Sequence, residues 1–364
     1  YTVVQDFQFY TFDEELFQQD IDKIKQNQWN LTEYGGRHLK GTITAGRPMF
    51  LYVAYYAPHL PLQAPRERVE RCLERYRVGY DVLRRQRFAR QQAMGLVPRN
   101  ATLPQYDREF GGHCPAWEEL TEEQRQQWTR DMATYAAMIE IMDDGIGQIV
   151  EAVRKKGMLD NTLFIFLSDN GATSEGGYLG QLMAHLSNTP YRSYKQWCYQ
   201  GGTSTPCIIT HGNPARNRFP GKICDQTAHV VDLLPTCMAL TSAHYPDSFA
   251  HPDLTGMNLV PVLEGGASTS RTLFFEHQSS CAVIDGNWKL VRTNRKTPWQ
   301  LFDLSADPFE TENCAAACPE KFTDLQAKWN EWARTHRVLP LEDKPWGQRI
   351  KYYKKLHPDQ DGVD

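Results

Sequence analysis

The chain has 364 residues, 41% of them hydrophobic and 23% charged, with nine Trp. That is enough to bury a large core in one domain or two, and it is unlike the composition of a disordered chain. The formal net charge of −4 gives no basic field for a nucleic-acid backbone, and no apolar run approaches the length of a membrane span.

The chain opens at Tyr1 with no Met and no signal-like segment, so a processed chain or a fragment is expected. Phe12 to Ile24 can form an amphipathic helix with Leu16, Phe17, Ile21 and Ile24 on one stripe. Pro48 to Tyr56 reads as a buried strand stopped by Pro58 and Pro61, with His59 just past its end. A histidine in that place is more often structural than catalytic, but a shared strand-end face with Asp169 raises its functional weight. Arg66 to Gln92 is an Arg-rich helical run whose interleaved Glu67, Glu70 and Glu74 favour a solvated face over a polyanion site. Trp117 to about Lys156 is one long helix with Thr121 as its cap, and Met138, Met142, Ile146, Ile149 and Val153 pack it on the sheet. Asp143 and Asp144 within it read as a polar face or capping contact in preference to a metal pair.

Thr162 to Leu167 is an unbroken apolar run followed at once by Ser168, Asp169, Asn170 and Gly171. Such a run predicts a strand covered on both faces, as in a parallel sheet flanked by helices. Ligands of open α/β sheets bind beyond the carboxyl ends of such strands. Asp169 and Asn170 there offer a carboxylate and an amide oxygen to a hard cation such as Ca²⁺ or Mg²⁺; the competing reading is a solvated Asn-Gly turn. A Gly- and Ser-rich passage follows, then Lys195, able to hold an anion as a point charge, and Gly201-Gly202, able to let backbone approach a ligand. Thr205 to His211 is another short strand. The helix that begins near His229 turns Leu234, Met238 and Leu240 inward.

From about residue 268 short strands at 273–277, 281–291 and 299–304, a hairpin turn at Asp285-Gly-Asn, and a helix over 319–337 with Phe322, Leu325, Trp329 and Trp332 inward predict a small antiparallel α+β unit. The expected domains are 1–267 and 268–364, with a polar tail from Leu339. Nine cysteines form no dense framework, and Cys314 and Cys318 read as a local disulfide or two thiols well ahead of zinc. Asn30 and Asn100 open glycosylation tripeptides, a pattern common by chance. The compartment stays open on these residues alone.

Taken together, Phe50 to Leu62 with His59, Tyr135 to Asp143 with Gly147, and Asp160 to Gly171 resemble the sulfatase family of the alkaline-phosphatase superfamily. So do Pro190 to Lys195 with Gly201, Gly202 and Pro206, Asp232 to Thr236, Gly286 to Val291 and Leu301 to Glu310. The resemblance runs in order from about residue 48 to 335 and looks closest to sulfatases of aryl or carbohydrate sulfates. It implies an α/β fold with a central mixed, mostly parallel sheet flanked by helices, plus the small C-terminal α+β subdomain. It implies that Asp169 and Asn170 ligate a divalent metal, most often Ca²⁺ with Mg²⁺ as the alternative. It also implies that Lys195 and His59 contact the sulfate and help the leaving oxygen depart, with His277 a weaker substrate-binding candidate. A secreted, periplasmic or lysosomal setting and a sulfated small molecule or glycan as partner are further implications.

The departures are equally informative. The family nucleophile is a formylglycine made from the Cys or Ser of a Cys/Ser-x-Pro-x-Arg motif, and no such motif occurs here. The paired aspartates and the Lys and His segment of the family's N-terminal region have no match either. Gln200 stands where Glu is usual, and Cys281 stands near a position often held by Arg. The expectation is therefore the C-terminal portion of a sulfatase, inactive by itself, whose formylglycine belongs to an N-terminal segment or chain. The alternatives are a phosphonate or phosphate ester hydrolase of the same superfamily and a non-catalytic binder of sulfated glycan.

Overall fold

The computed structural model describes residues 49–105, 114–175, 177–217, 221, 223–244, 255–336 and 338–339. The helix expected over 12–24, the Asn30 tripeptide and the tail beyond 339 lie outside the described residues.

The Arg-rich run is two helices, α1 (Arg66–Tyr76) and α2 (Tyr80–Met94), where one was expected. The break is Gly79, at φ 82° with the Trp117 ring packed on it so closely that a Cβ would lie 2.4 Å from a ring atom. Helix α3 (Glu122–Lys155) starts in a capping box: Thr121 Oγ1 accepts from the Gln124 amide at 3.2 Å, and Gln124 Oε1 accepts from the Thr121 amide at 2.9 Å. Its first half buries Trp128, Met132, Ala133, Ala136 and Ala137 against Val69, Cys72 and Tyr76 of α1. Its second half places Ile149 and Val153 against Met49, Leu51 and Phe164. The helix thus packs on a helix at one end and on a strand at the other, because its apolar stripe is continuous over both. Asp144 meets Arg68 at 2.8 Å on the surface, in line with a polar face.

Strand β1 (Leu163–Leu167), helix α4 (Gly177–Ser187), the single-turn α5 (Gln200–Thr203) and strand β2 (Cys207–His211) follow. β1 and β2 pair antiparallel, from Leu163↔His211 to Leu167↔Cys207. Among the described residues the ladder beside β1 is antiparallel and residues 49–56 form no ladder, so the mostly parallel part of the mixed sheet expected from the sequence is not seen among them. An unbroken apolar run signals burial; it carries no information on the direction of the partner strand. Nor is β1 covered throughout, since the cross-strand partners Phe166 and Ile208 are 38% and 57% exposed.

Beyond them, α6 (Leu233–Thr241) leaves Leu234 and Leu240 exposed instead of turning them inward. Its orientation is set by polar groups. Fully buried Asp232 accepts from Arg271 at 2.6 Å, from the His229 amide at 2.7 Å and from the Met257 amide at 2.8 Å. The short α7 (Val260–Leu263) leads to β3 (Thr272–His277), β4 (Ser280–Asp285), β5 (Trp288–Arg292) and β6 (Gln300–Asp303), a sheet that is antiparallel as expected and has its strands in chain order. Alternation along these strands buries both faces. Phe274, Cys281, Val283, Leu290 and Leu301 meet Leu325, Trp329 and Ala333 of α8 (Pro319–Thr335). Phe275, Ala282, Val291 and Phe302 meet Ala184, Tyr194, Cys198 and Tyr199. The second sheet therefore backs the segment that carries Lys195.

Substituting Gly79→Ala should destabilise the chain by about 2–4 kcal/mol, because the left-handed φ and the clash with Trp117 add together. Urea denaturation followed by Trp fluorescence measures this.

Candidate active site

The turn after β1 is held by backbone groups. The Ser168 amide donates to the Pro206 carbonyl at 3.2 Å, and Thr205 Oγ1 donates to the Ser168 carbonyl at 2.8 Å. The Gly171 amide donates to the Gly202 carbonyl at 3.1 Å, and a Cβ on Gly171 would sit 1.7 Å from the Gly201 carbonyl oxygen. Gly201 and Gly202 in turn press on the carbonyls of Ser193 and Trp197, where added Cβ atoms would come within 2.2 and 2.0 Å. The glycine pair was expected to admit a ligand; its lack of side chains instead admits neighbouring backbone. The Lys195 amide donates to the Ala172 carbonyl at 3.0 Å. Asn188 ties the same two segments, accepting from the Ala172 amide and donating to the Ser193 carbonyl, both at 2.9 Å. Asp169-Asn170 and Lys195 are thereby locked into one loop cluster.

His59 joins this cluster from 136 residues upstream of Lys195. Its Nε2 lies 2.9 Å from Lys195 Nζ and 3.5 Å from Glu175 Oε2, and its Nδ1 lies 3.0 Å from the Leu60 carbonyl. A carbonyl only accepts, so Nδ1 bears the proton and Nε2 is free to accept from the lysine ammonium. Tyr56 packs its ring 5.3 Å from His59 and donates its hydroxyl to the Leu60 carbonyl at 2.7 Å. His277, at the end of β3, places Nδ1 3.0 Å from the carbonyl of Gln196, so it touches the Lys195 segment through its backbone.

Asp169 is exposed, and its carboxylate makes no hydrogen bond or ion pair with any described residue. With the Asn170 amide it offers two hard oxygen donors of the type Ca²⁺ or Mg²⁺ takes. No group of three or more His, Cys, Asp or Glu suited to a metal occurs among the described residues, so the donor set fits in kind and is incomplete in number. All nine cysteines are free thiols, which resolves Cys314 and Cys318 in favour of two thiols.

Glu175 was missed because a single exposed carboxylate in a Gly- and Ser-rich passage carries no pattern. The support behind the loops was missed too. Fully buried Lys289 of β5 pairs with fully buried Glu310 at 2.8 Å, and Lys289 also donates to Gln200 Oε1 at 3.1 Å. Glu310 Oε2 accepts from the Gln200 amide at 2.7 Å. Burial pushes the Glu310 carboxyl up, and the Lys289 ammonium pulls against it. The Arg-rich helix contributes more than a solvated face: Arg87 donates to the Leu186 and Ser187 carbonyls at 2.8 and 3.0 Å. Buried His185 faces the Tyr194 hydroxyl at 2.7 Å, and burial, with Arg84 nearby, lowers its pKa to about 3.

Residues 4–243 match the family model for sulfatases, and the chain belongs to the sulfatase family. An uncharacterized sulfatase of Schizosaccharomyces pombe is 31% identical over 344 residues, covering 84% of this chain and 61% of its own length. The arylsulfatase of Klebsiella aerogenes is 35% identical over 220 residues, covering 52% of this chain and 45% of its own. Human N-sulphoglucosamine sulphohydrolase is 25% identical, covering 80% and 61%. The chain thus spans less than two thirds of the length of each of these three relatives. Among solved structures, Ps i-CgsB superposes with a TM-score of 0.59 at 21% identity, covering 90% of this chain and 59% of the other. At that identity the match speaks for the fold alone, which is the α/β fold of sulfatases.

Two outcomes are expected from this geometry. Glu310→Gln should cost about 3–5 kcal/mol by leaving the Lys289 ammonium buried and unpaired, whereas Lys289→Met with Glu310→Gln should recover part of that loss in chemical denaturation. His185 stays neutral in the fold down to pH about 3, while the unfolded chain protonates it near its ordinary 6.5. Stability should therefore fall as pH drops below 6.5, by up to about 1.4 kcal/mol per pH unit from this group. His185→Gln, which keeps an acceptor for Tyr194, should flatten the urea midpoint between pH 7 and 5.

Proposed function

We propose that this chain is part of a sulfuric ester hydrolase acting on aryl or carbohydrate sulfates. The observation that carries the reading is the Lys195–His59 pair, 2.9 Å apart and fixed in the same loop cluster as Asp169 and Asn170. An ammonium offsets charge on sulfuryl oxygens, and an imidazole handles the proton of the leaving oxygen. Asp169 and Asn170 are the residues that would hold the divalent cation, Ca²⁺ in the first instance, which when bound offsets further negative charge on the sulfate. Lys195 holds one side of the anion, and the Leu60 carbonyl keeps the His59 ring oriented with Nε2 toward it. Support for the substrate class comes from relatives named as an arylsulfatase and as an N-sulphoglucosamine sulphohydrolase.

The nucleophile and the remaining cation ligands are assigned to sequence outside these residues, because no Cys/Ser-x-Pro-x-Arg occurs here. That same absence is what favours the second reading, a homologue that binds sulfated glycan without cleaving it.

The test is turnover of 4-nitrophenyl sulfate and 4-nitrophenyl phosphate by the natural gene product, beside the 364-residue chain. The natural product should hydrolyse the sulfate and strongly prefer it; the chain alone should not. Lys195→Ala and His59→Ala in the natural product should each lower kcat/KM by about 10²–10⁴. Preference for the phosphate would replace the sulfatase reading with the phosphohydrolase one. Binding of sulfated glycan without turnover would leave the binder, and strong turnover by the chain alone would overturn the external nucleophile.

A further inference from the structure

One imidazole nitrogen stands between two groups with opposite demands. His59 Nε2 is 2.9 Å from Lys195 Nζ and 3.5 Å from Glu175 Oε2. An ammonium has only protons to give, and a carboxylate has only lone pairs. With Nε2 bare, Lys195 donates to it and Glu175 faces an acceptor it cannot bond. With Nε2 protonated, Lys195 has nothing to donate to, and the carboxylate can take the N–H in a charge-assisted bond. The other nitrogen does not take part in the exchange, because Nδ1 is held by the Leu60 carbonyl at 3.0 Å in both states. Among the described residues, Lys195, Glu175 and Tyr56 are the titratable groups that face this ring, and Tyr56 spends its hydroxyl on the Leu60 carbonyl.

We propose that Glu175 is a positioning residue that takes over His59 Nε2 once that nitrogen is protonated, releasing Lys195 to the sulfate oxygens. The inference rests on the reading of His59 as the proton donor given above. In the loaded state the imidazolium bonds Glu175, and the lysine ammonium is available to the anion. As an oxygen nucleophile bonds to sulfur, the S–O bond to the alcohol breaks with its electron pair on the alcohol oxygen; the Nε2–H then leaves its hydrogen bond to Glu175, and the proton passes to that oxygen. Nε2 is then bare and recovers the Lys195 hydrogen bond, which is the arrangement seen here. Glu175 suits the part because its side chain is 48% exposed and can swing, while its amide is anchored on Thr173 Oγ1 at 3.2 Å.

The test reads the partner exchange directly. In crystals of the natural gene product soaked with inorganic sulfate, Lys195 Nζ should leave His59 for a sulfate oxygen, and a Glu175 carboxylate oxygen should close from 3.5 Å to about 2.8 Å from His59 Nε2. In Glu175→Gln, Lys195 should stay on His59 Nε2. Sulfate bound with Lys195 still on the ring, sulfate bound with Glu175 turned away, or no sulfate bound at Lys195 overturns the proposal. Turnover of sulfate esters by the same natural product is measured separately: turnover without the exchange overturns this proposal alone, and exchange without turnover overturns the hydrolase reading.

Discussion

The site depends on backbone meeting backbone at three glycines. Gly171 lies under the carbonyl of Gly201, and Gly201 and Gly202 lie against the carbonyls of Ser193 and Trp197, at separations that no side chain permits. This stacking joins the end of β1 to the segment that carries Lys195. Asn188, spanning both with one amide side chain, and the Lys195 amide on Ala172 close the same joint by hydrogen bonds. Two short segments from different parts of the chain therefore behave as one rigid piece, which is what a site needs if a point charge and a carboxylate are to keep their relation.

The second sheet makes this piece rigid from behind. Its strands alternate strictly, one set of side chains against α8 and the other against Tyr194, Cys198 and Tyr199. It is a buried middle layer, although antiparallel sheets of this size often leave one face to water. The polar core of that layer is Lys289 with Glu310, whose carboxylate caps the amide of Gln200 next to the glycine pair. Such a pair contributes little net stability over an apolar equivalent. Its geometric consequence is larger, since the Gln200 amide can meet that carboxylate in few orientations.

Much of this was legible in the sequence because it follows from local chemistry. The apolar run before Asp169, the cap at Thr121 and the short strands after residue 268 all appear where periodicity and turn residues place them. His59 and Lys195 were both named from the sequence and the fold brings them together, although the buried strand expected before His59 does not form over residues 49–56. What escaped has physical causes. The direction of the strand beside β1 is decided by the route of the chain between them, which no run of Leu and Phe records. The break at Gly79 depends on Trp117 arriving from elsewhere. α6 was read by its leucines, yet its orientation follows buried Asp232 and Arg271. Glu310 was part of the motif, but its partner at 289 becomes a partner only once the hairpin closes.

Within the site, the two halves are fixed by different means. Lys195 and the Asp169-Asn170 turn are placed by main-chain hydrogen bonds and glycine packing, so few side-chain substitutions nearby can move them. The His59 ring and the Glu175 carboxylate are held more loosely: the ring leans on Tyr56 and the Leu60 carbonyl, and the carboxylate is half-exposed. A group that only has to stay put is best held by backbone. A group that must exchange one partner for another needs alternatives within reach at similar cost, and a lysine at 2.9 Å with a glutamate at 3.5 Å supplies them. The division of the cluster into a fixed half around Lys195 and Asp169 and an adjustable half at His59 and Glu175 follows from how each residue is tethered.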